Sequence, residues 1–501
     1  MKILTADEIR QVEQRAFAGD FTEEGLMKAA GDACFNKIIK RFGSELDGKK
    51  TAVFCGNGKN AGDGFVIADL LHGRGISSVI VLADKEPELK EPLLYYNDAI
   101  ENGVKSIFFD DYDMDCDVII DCLFGIGFHG LPRAPFDKVI DSINECGALV
   151  ISVDTPSGTN ATDGSAVKAV RADFTIAIST LKYCHILPPS NELCGETAVV
   201  NIGIPEKYYG SGYANTIAKT GVKESFVKRC KNSHKGSCGH QLNICGSYLM
   251  PGAAVISAKA ALKTGVGLLK CAFPKSLYSV MTANLTQPVF KPLCENEEKT
   301  ISMGAINDIL QELSWADCVA IGCGLGNNDD IQVITSQVIK NSAVPVVLDA
   351  DGINAAAPFI DIIKDRNAPL VITPHPAEMA RLIGEDTLYV QSNRISVAKA
   401  FAQEYDCIVV LKGANTVVTD GEAVFVNTTG NPGMAMGGTG DMLTGMLASF
   451  IAQGIAPLNA AKAAVYIHGM CGDITAAELS QRGMTVDDML SLTGALMSEF
   501  E

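Results

Sequence analysis

The stretch NPGMAMGGTGDMLTGMLASF, residues 431–450, decides how the second half of the chain reads. Gly437, Gly438 and Gly440 crowd against one carboxylate, Asp441, and an apolar helical run begins at once. Each glycine lowers helix propensity and adds backbone entropy that folding must remove, whereas a single polar residue suffices to cap a helix. The plain reading is a glycine-rich turn with a capping Asp. The cost of several glycines favours a second reading, in which the bare backbone is there to be approached. N–H groups of Gly438, Thr439, Gly440 and Asp441 at a helix start form a cradle for an anion, aided by the helix dipole. A phosphoryl group in transfer gathers negative charge, which such preorganised donors stabilise. Asp441 at the edge is placed to take the proton of an attacking hydroxyl.

Neighbouring segments support phosphate chemistry. In VVLKGANT, Lys412 ends an apolar strand and is followed by Gly413 and Asn415, a nucleotide-phosphate contact. LDADGIN supplies Asp349, Asp351 and Asn354, and AIGCGLG supplies Gly324 and Gly326 at another strand end. In VITPHPAEM, two prolines fix the backbone around His375; a rigid turn bearing a surface imidazole is its alternative. Strands are expected at QLNICGS, GLLKCAFP, CVAIGCG, VPVVLDAD, PLVITPH and CIVVLKG, with helices between them and an Asp-Gly hairpin in TVVTDGEAVFVN.

The first half has the same style. TAVFC, SVIVLAD, DVIIDCLFG and ALVISVD read as continuous apolar strands alternating with helical stretches, which implies a parallel sheet covered on both faces. The fold class is thus α/β with two domains: an N-terminal Rossmann-like three-layer parallel sheet over residues 1–218 and a second α/β domain over 222–501. After the first strand, CGNGKNAGDGF places Gly56, Gly58 and Gly62 off the G-x-G-x-x-G dinucleotide spacing. Asp121 and Asp154 each end a strand ahead of a glycine-bearing turn. Parallel sheets gather ligand groups at carboxyl ends of strands, so Asn60, Asp63, Asp121, Asp154 and Ser157 are expected to converge on one crevice, suited to proton transfer, a cation, or both.

Composition narrows the classes. The chain has 501 residues, 47% of them hydrophobic, and a formal net charge of −18. No basic face points to nucleic acid. The longest apolar run is too short and mixed to span a bilayer, and the N-terminus turns charged too early for a secretion signal. The 16 cysteines lie mostly in apolar runs, as reduced thiols of a cytoplasmic protein do. Cys230, His234, Cys238 and His240 match no common zinc spacing and read as a loop.

GNGKNAGDGFVIADLL, DCLFGIG and SVDTPSG resemble the NAD(P)H-hydrate epimerase domain over most of residues 1–215. That family usually has Asn-Asn-Gly-Gly-Asp-Gly in the first loop; here Lys59 and Ala61 replace Asn and Gly. The resemblance implies a K+ ion held by Asn60, Asp121 and Ser157. It implies substrate contacts from Lys59, Asn60, Ala61, Gly62 and Asp63, from Gly125, Ile126, Gly127, Phe128, His129, Gly130 and Leu131, and from Asp154, here also the proposed catalytic group. The second half is similar to the ribokinase-like fold, and HKGSCGHQLNICGSYLMPGAAVISAKAALKTGVGLL, ITPHPAEMARL, VLKGANTVV and NPGMAMGGTGDMLTG resemble NAD(P)H-hydrate dehydratase. This implies substrate contacts at Ala253, Gly324, His375 and Asp441, with Asp441 as catalytic base. Nucleotide contacts are implied at Lys412, Gly413, Ala414, Asn415 and Thr416, and at Gly438, Thr439 and Gly440. Hydrated NADH or NADPH, ADP or ATP as phosphoryl donor, Mg2+ and a homo-oligomer follow as expectations. A small-alcohol kinase with a regulatory first domain is the alternative.

Overall fold

The computed structural model describes all 501 residues. The chain divides between Tyr213 and Ala214 into two units. In the first, seven strands form one parallel sheet in the order Lys105–Phe108, Ser78–Leu82, Thr51–Cys55, Val118–Cys122, Leu149–Val153, Phe174–Ile178 and Glu196–Val200. The central strands are buried along their length, as their unbroken apolar sequence requires. Helix Glu23–Leu46 packs one face through Met27, Cys34, Ile38 and Phe42, and helix Phe136–Glu145 covers the other through Val139, Ile140 and Ile143. The helix after the first strand starts at Lys59, so KNAGDG forms its opening residues.

An additional helix, Ala6–Phe17, precedes the sheet. It starts with a capping box in which Thr5 and Glu8 satisfy each other's orphan backbone groups, and it buries Ile9, Val12 and Ala16.

In the second unit the sheet runs Val289–Leu293, Leu268–Pro274, His240–Ile244, Cys318–Ile321, Val346–Leu348, Leu370–Ile372, Ile408–Leu411, Val417–Thr419, Val424–Val426, Ala214–Thr216. It is parallel up to Ile408–Leu411; the expected hairpin follows antiparallel, with Gly421 at φ +93° in its turn. Strand Ala214–Thr216 pairs parallel with Val424–Val426. Helix Thr439–Ala452 crosses Pro251–Lys263 in close contact: a Cβ on Gly445 would strike the Ser257 carbonyl. All 16 cysteines are free. No helix is long and apolar enough to cross a membrane.

Candidate active sites

In the first sheet, strand order reverses between Thr51–Cys55 and Val118–Cys122. Ligand crevices form outside the carboxyl ends of strands at such a reversal, and here a cavity of about 740 Å³ opens. Its wall includes Lys59, Asn60 and Asp63 from the helix start, the segment 123–128, Asp154 and Lys182. Gly125, Ile126, Gly127 and Phe128 therefore line it; His129, Gly130 and Leu131 lie beyond the wall, Leu131 being 61% exposed. Ala61 and Gly62 turn away, Ala61 into the core and Gly62 onto Met27. Ala61 sits in the helix with negative φ, so replacing the usual glycine costs no backbone strain.

Asp154 sits at the end of its strand with φ +69°, a left-handed conformation that costs energy in a non-glycine residue. Its Oδ1 accepts from the Ile178 N–H at 3.2 Å and is ion-paired with Lys182, whose side chain is 1% exposed. Lys182 also donates to the Ile178 carbonyl at 2.6 Å. Behind the pair, His185 Nδ1 accepts from Lys182 N at 2.9 Å, leaving Nε2 to donate to the Asp154 carbonyl at 2.8 Å. Burial, then the Lys182 charge, lowers the His185 pKa to about 4, so this brace is neutral. Neither Lys182 nor His185 stood out in sequence, because both follow a strand with no motif around them.

Asp121 and Ser157 do not reach the cavity wall, contrary to the expectation of one shared crevice; they lie beneath it. Asp121 is fully buried and accepts from Ser157 Oγ at 2.5 Å, Ser152 Oγ at 2.8 Å, Ser157 N at 2.9 Å and Leu123 N at 3.2 Å. Every one of these donors is neutral. Asn60 Nδ2 donates to the Phe124 and Val153 carbonyls at 3.0 and 3.1 Å, and the Phe124 carbonyl also accepts from Ser157 Oγ at 3.3 Å. A buried carboxylate among neutral partners and hard oxygen donors suits a cation such as K+.

In the second unit Asp441 lies in the first turn of helix Thr439–Ala452. The helix is capped by Gly438 at φ +97°, a conformation an L side chain resists, and no side chain caps it. The first intrahelical bond runs from Met442 N to Gly438 O. The N–H groups of Thr439, Gly440 and Asp441 have no protein partner and remain available to an anion. Burial, then the Lys412 charge, lowers the pKa of His468 to about 4, so this buried imidazole is neutral. A Cβ on Gly440 would stand 3.4 Å from Lys412 Nζ, so the cradle and the lysine are neighbours.

Lys412 Nζ lies 2.5 Å from Asp349 Oδ1 and 3.9 Å from Glu378 Oε2. Burial works against its charge, but these carboxylates outweigh it and raise the Lys412 pKa. Asp349 also accepts from Thr373 Oγ1 at 2.7 Å and Thr444 Oγ1 at 2.8 Å. The ligand atoms of Cys323, Asp349 and Asp441 lie within 4.8 Å of one another; the cation already serving this group is Lys412. Burial, then repulsion from Asp349, raises the Asp441 pKa to about 6, with a Cys323 hydrogen bond and Lys412 opposing. An acid so tuned can accept a proton near neutral pH.

His375 caps helix Pro376–Ile383, its Nδ1 accepting from Ala377 N at 3.1 Å and Glu378 N at 3.2 Å. Its Nε2 faces Glu378 Oε1 at 3.3 Å, and burial followed by the Lys412 charge lowers its pKa. Gly324, at φ +64°, abuts Ala253: a Cβ there would lie 2.8 Å from that of Ala253. The loop 412–416 is clamped from below by buried Arg394, which donates to the carbonyls of Leu411 at 3.0 Å and Lys412 at 3.2 Å. Gly413 leaves room for that guanidinium, Asn415 takes φ +55°, and Thr416 Oγ1 closes onto the Gly413 carbonyl at 3.1 Å; Ala414 lies between. Glu378 and Arg394 are the residues sequence missed here. A Glu three residues after the helix cap was the readable sign of the first.

His234 caps a short turn through Ser237, and His240 pairs with Asp317 at 2.9 Å.

The two halves of the chain match two known families. Residues 242–493 match the family model described as NAD(P)H-hydrate dehydratase, and residues 23–184 match that of the YjeF-related protein N-terminus. The bifunctional NAD(P)H-hydrate repair enzyme Nnr of Moorella thermoacetica is 31% identical across 100% of this chain and 97% of its own length. That of Coxiella burnetii is 33% identical across 96% of each. Among solved structures, an ADP/ATP-dependent NAD(P)H-hydrate dehydratase from Bacillus subtilis co-crystallised with ATP and Mg2+ aligns with 57% of this chain and 99% of its own, at 28% identity and a TM-score of 0.51. The chain therefore belongs to the family of bifunctional NAD(P)H-hydrate repair enzymes, with an epimerase domain followed by a dehydratase domain.

Proposed function

We propose that the protein repairs hydrated NADH and NADPH, its second unit restoring the dinucleotide from the S hydrate at the expense of ADP or ATP and its first interconverting the R and S hydrates. The observation that carries the reading is Asp441 beside three unpartnered helix-start N–H groups, with Lys412 at their edge. Hydroxide is a poor leaving group, whereas phosphate, with a second pKa of about 6, leaves readily. Asp441 takes the proton of the C6 hydroxyl, and the freed oxygen attacks the terminal phosphorus of the nucleotide. The backbone N–H groups and Lys412 meet the charge on the transferring group. The ring nitrogen lone pair then expels phosphate from C6, and loss of the C5 proton restores the reduced nicotinamide. Ala253, Gly324 and His375 position the ring, and residues 412–416 hold the nucleotide. Mg2+ fits as a companion of the nucleotide phosphates, screening their charge; Asp349, the buried carboxylate nearby, is already occupied by Lys412 and two threonines.

In the first unit the substrate's nicotinamide end occupies the cavity against Asp154. Asn60, Asp121 and Ser157 would hold K+, and such a cation would offset the buried Asp121 charge.

The test mixes full-length protein with hydrated NADH, Mg2+ and either ADP or ATP, and follows recovery of reduced-nicotinamide absorbance together with free phosphate. Expected is stoichiometric phosphate release with recovery, abolished in Asp441→Ala. A stable phosphorylated product would instead identify a small-alcohol kinase.

A further inference from the structure

The N-terminal helix Ala6–Phe17 lies outside the residues that match the epimerase-type family model, which begin at position 23. Yet Ile9, Arg10, Glu13, Gln14 and Phe17, recurring at helical spacing, present one continuous stripe to the 740 Å³ cavity. The helix buries a separate face through Val12 and Ala16. The stripe is therefore exposed to the cavity by construction. Glu13 is its only carboxyl. Arg10 pairs with Asp7 on its own helix, while the Glu13 side chain makes no hydrogen bond. Asp154, by contrast, is tied by Lys182 and the Ile178 N–H.

Resting on the epimerase reading above, we infer that Glu13 is a second acid–base catalyst of R/S exchange, working with Asp154. Inversion at C6 requires the hydroxyl to leave from one face and water to return on the other. The ring nitrogen lone pair forms the N1=C6 bond as the C6–O bond breaks, and the departing oxygen takes a proton to leave as water. A water then adds to the opposite face and loses its proton to a carboxylate. One carboxyl must enter protonated and the other ionised; the reverse direction swaps their roles, and solvent at the cavity mouth resets them. Asp154, ion-paired with Lys182, takes the part of the proton acceptor. Glu13 has the surroundings of the protonated one. Burial, then the Asp154 charge, raises its pKa, against the opposing pull of Lys59 and Lys182; Glu23 adds to the raise. Buried Asp63, from the facing helix, adds a further carboxyl whose pKa is pushed well up by burial and by Asp154 and Glu13.

The experiment uses the full-length protein without nucleotide, so that the dehydratase cannot drain the S form, and starts from the isolated R hydrate of NADH. Conversion to S is followed by chromatography across pH 5–9 for wild type, Glu13→Gln and Glu13→Asp. Expected is a loss of about 10²-fold in kcat for Glu13→Gln with KM little changed. The decline of the wild-type rate at high pH, which reports the proton donor, should vanish with it, and Glu13→Asp should recover part of the rate. Wild-type speed in Glu13→Gln would overturn the inference, as would equal loss in both variants, which would mark a packing role. No exchange by wild type would overturn the epimerase reading instead.

Discussion

Asp154 and Asp441 are the same residue type assigned to proton transfer in two units built alike, yet they are supported in opposite ways. Asp154 ends a strand in a left-handed conformation and is gripped by a buried lysine. Asp441 opens a helix, has no cation of its own, and is pushed up to about 6 by burial and by Asp349. The nearest lysine in that unit, Lys412, is bound to Asp349 instead. The first carboxylate has a cationic partner that also fixes its position. The second is left at the edge of losing its charge, which makes it a better base at the expense of stability. Breaking each arrangement should therefore move stability in opposite directions.

The largest effect is expected at Lys182. Lys182→Met removes the cation but leaves Asp154 buried, and breaking a buried pair from one side costs about 3–5 kcal/mol. Urea unfolding should show the first unit's transition at markedly lower denaturant, with R/S exchange lost and dehydration of the S hydrate retained. An unchanged first transition would mean that water, not Lys182, compensates Asp154.

The difference between the two carboxylates could be only half read from sequence. The strands were legible because both sheets are parallel and buried, so each central strand is an unbroken apolar run such as Val118–Cys122. Strand Ala214–Thr216 was not, since a strand of three residues has no pattern to display. At the sites, glycine punctuation pointed to Gly438–Asp441 and to the helix start at Lys59, because bare backbone is costly and local in sequence. Lys182 and Arg394 escaped for the complementary reason: each reaches partners distant in sequence, 28 residues away in the case of Lys182 and Asp154 and 17 in the case of Arg394 and Leu411. Asp121 and Ser157 were correctly drawn together, 36 residues apart, but their depth below the cavity depended on packing that no spacing encodes.

A smaller effect of opposite sign belongs to Asp441. Its folded pKa, about 6, exceeds the ordinary aspartate value of 3.8, so the folded state binds this proton more tightly than the unfolded chain. Its contribution to stability accordingly falls as pH rises from about 4 to about 6, and the full penalty stands above about 6. Two pKa units amount to at most about 3 kcal/mol. Asp441→Asn should raise the melting temperature at pH 7.5 and have little effect at pH 4, while abolishing dehydration. In wild type, kcat/KM for dehydration should fall as pH drops below about 6, where the base becomes protonated. A stabilisation equal at both pH values would exclude the charge as its cause.

The smallest effect tests whether the first site is tuned at its rim rather than at Asp154. Lys59, where related sequences usually carry Asn, stands on the cavity wall, 63% exposed, paired with Glu23 from the neighbouring helix. So exposed a pair contributes little to stability, about 0–1 kcal/mol. The ammonium nevertheless sits at a helix start that no side chain caps, where an anion such as a dinucleotide phosphate is favoured. Lys59→Asn should thus leave the melting temperature and the kcat of exchange nearly unchanged and raise KM several-fold. The increase should shrink with added salt, as expected for an interaction between exposed charges. A change confined to kcat would place Lys59 in the chemistry beside Asp154, and the contrast between a rigid buried carboxylate and an adaptable rim would not hold.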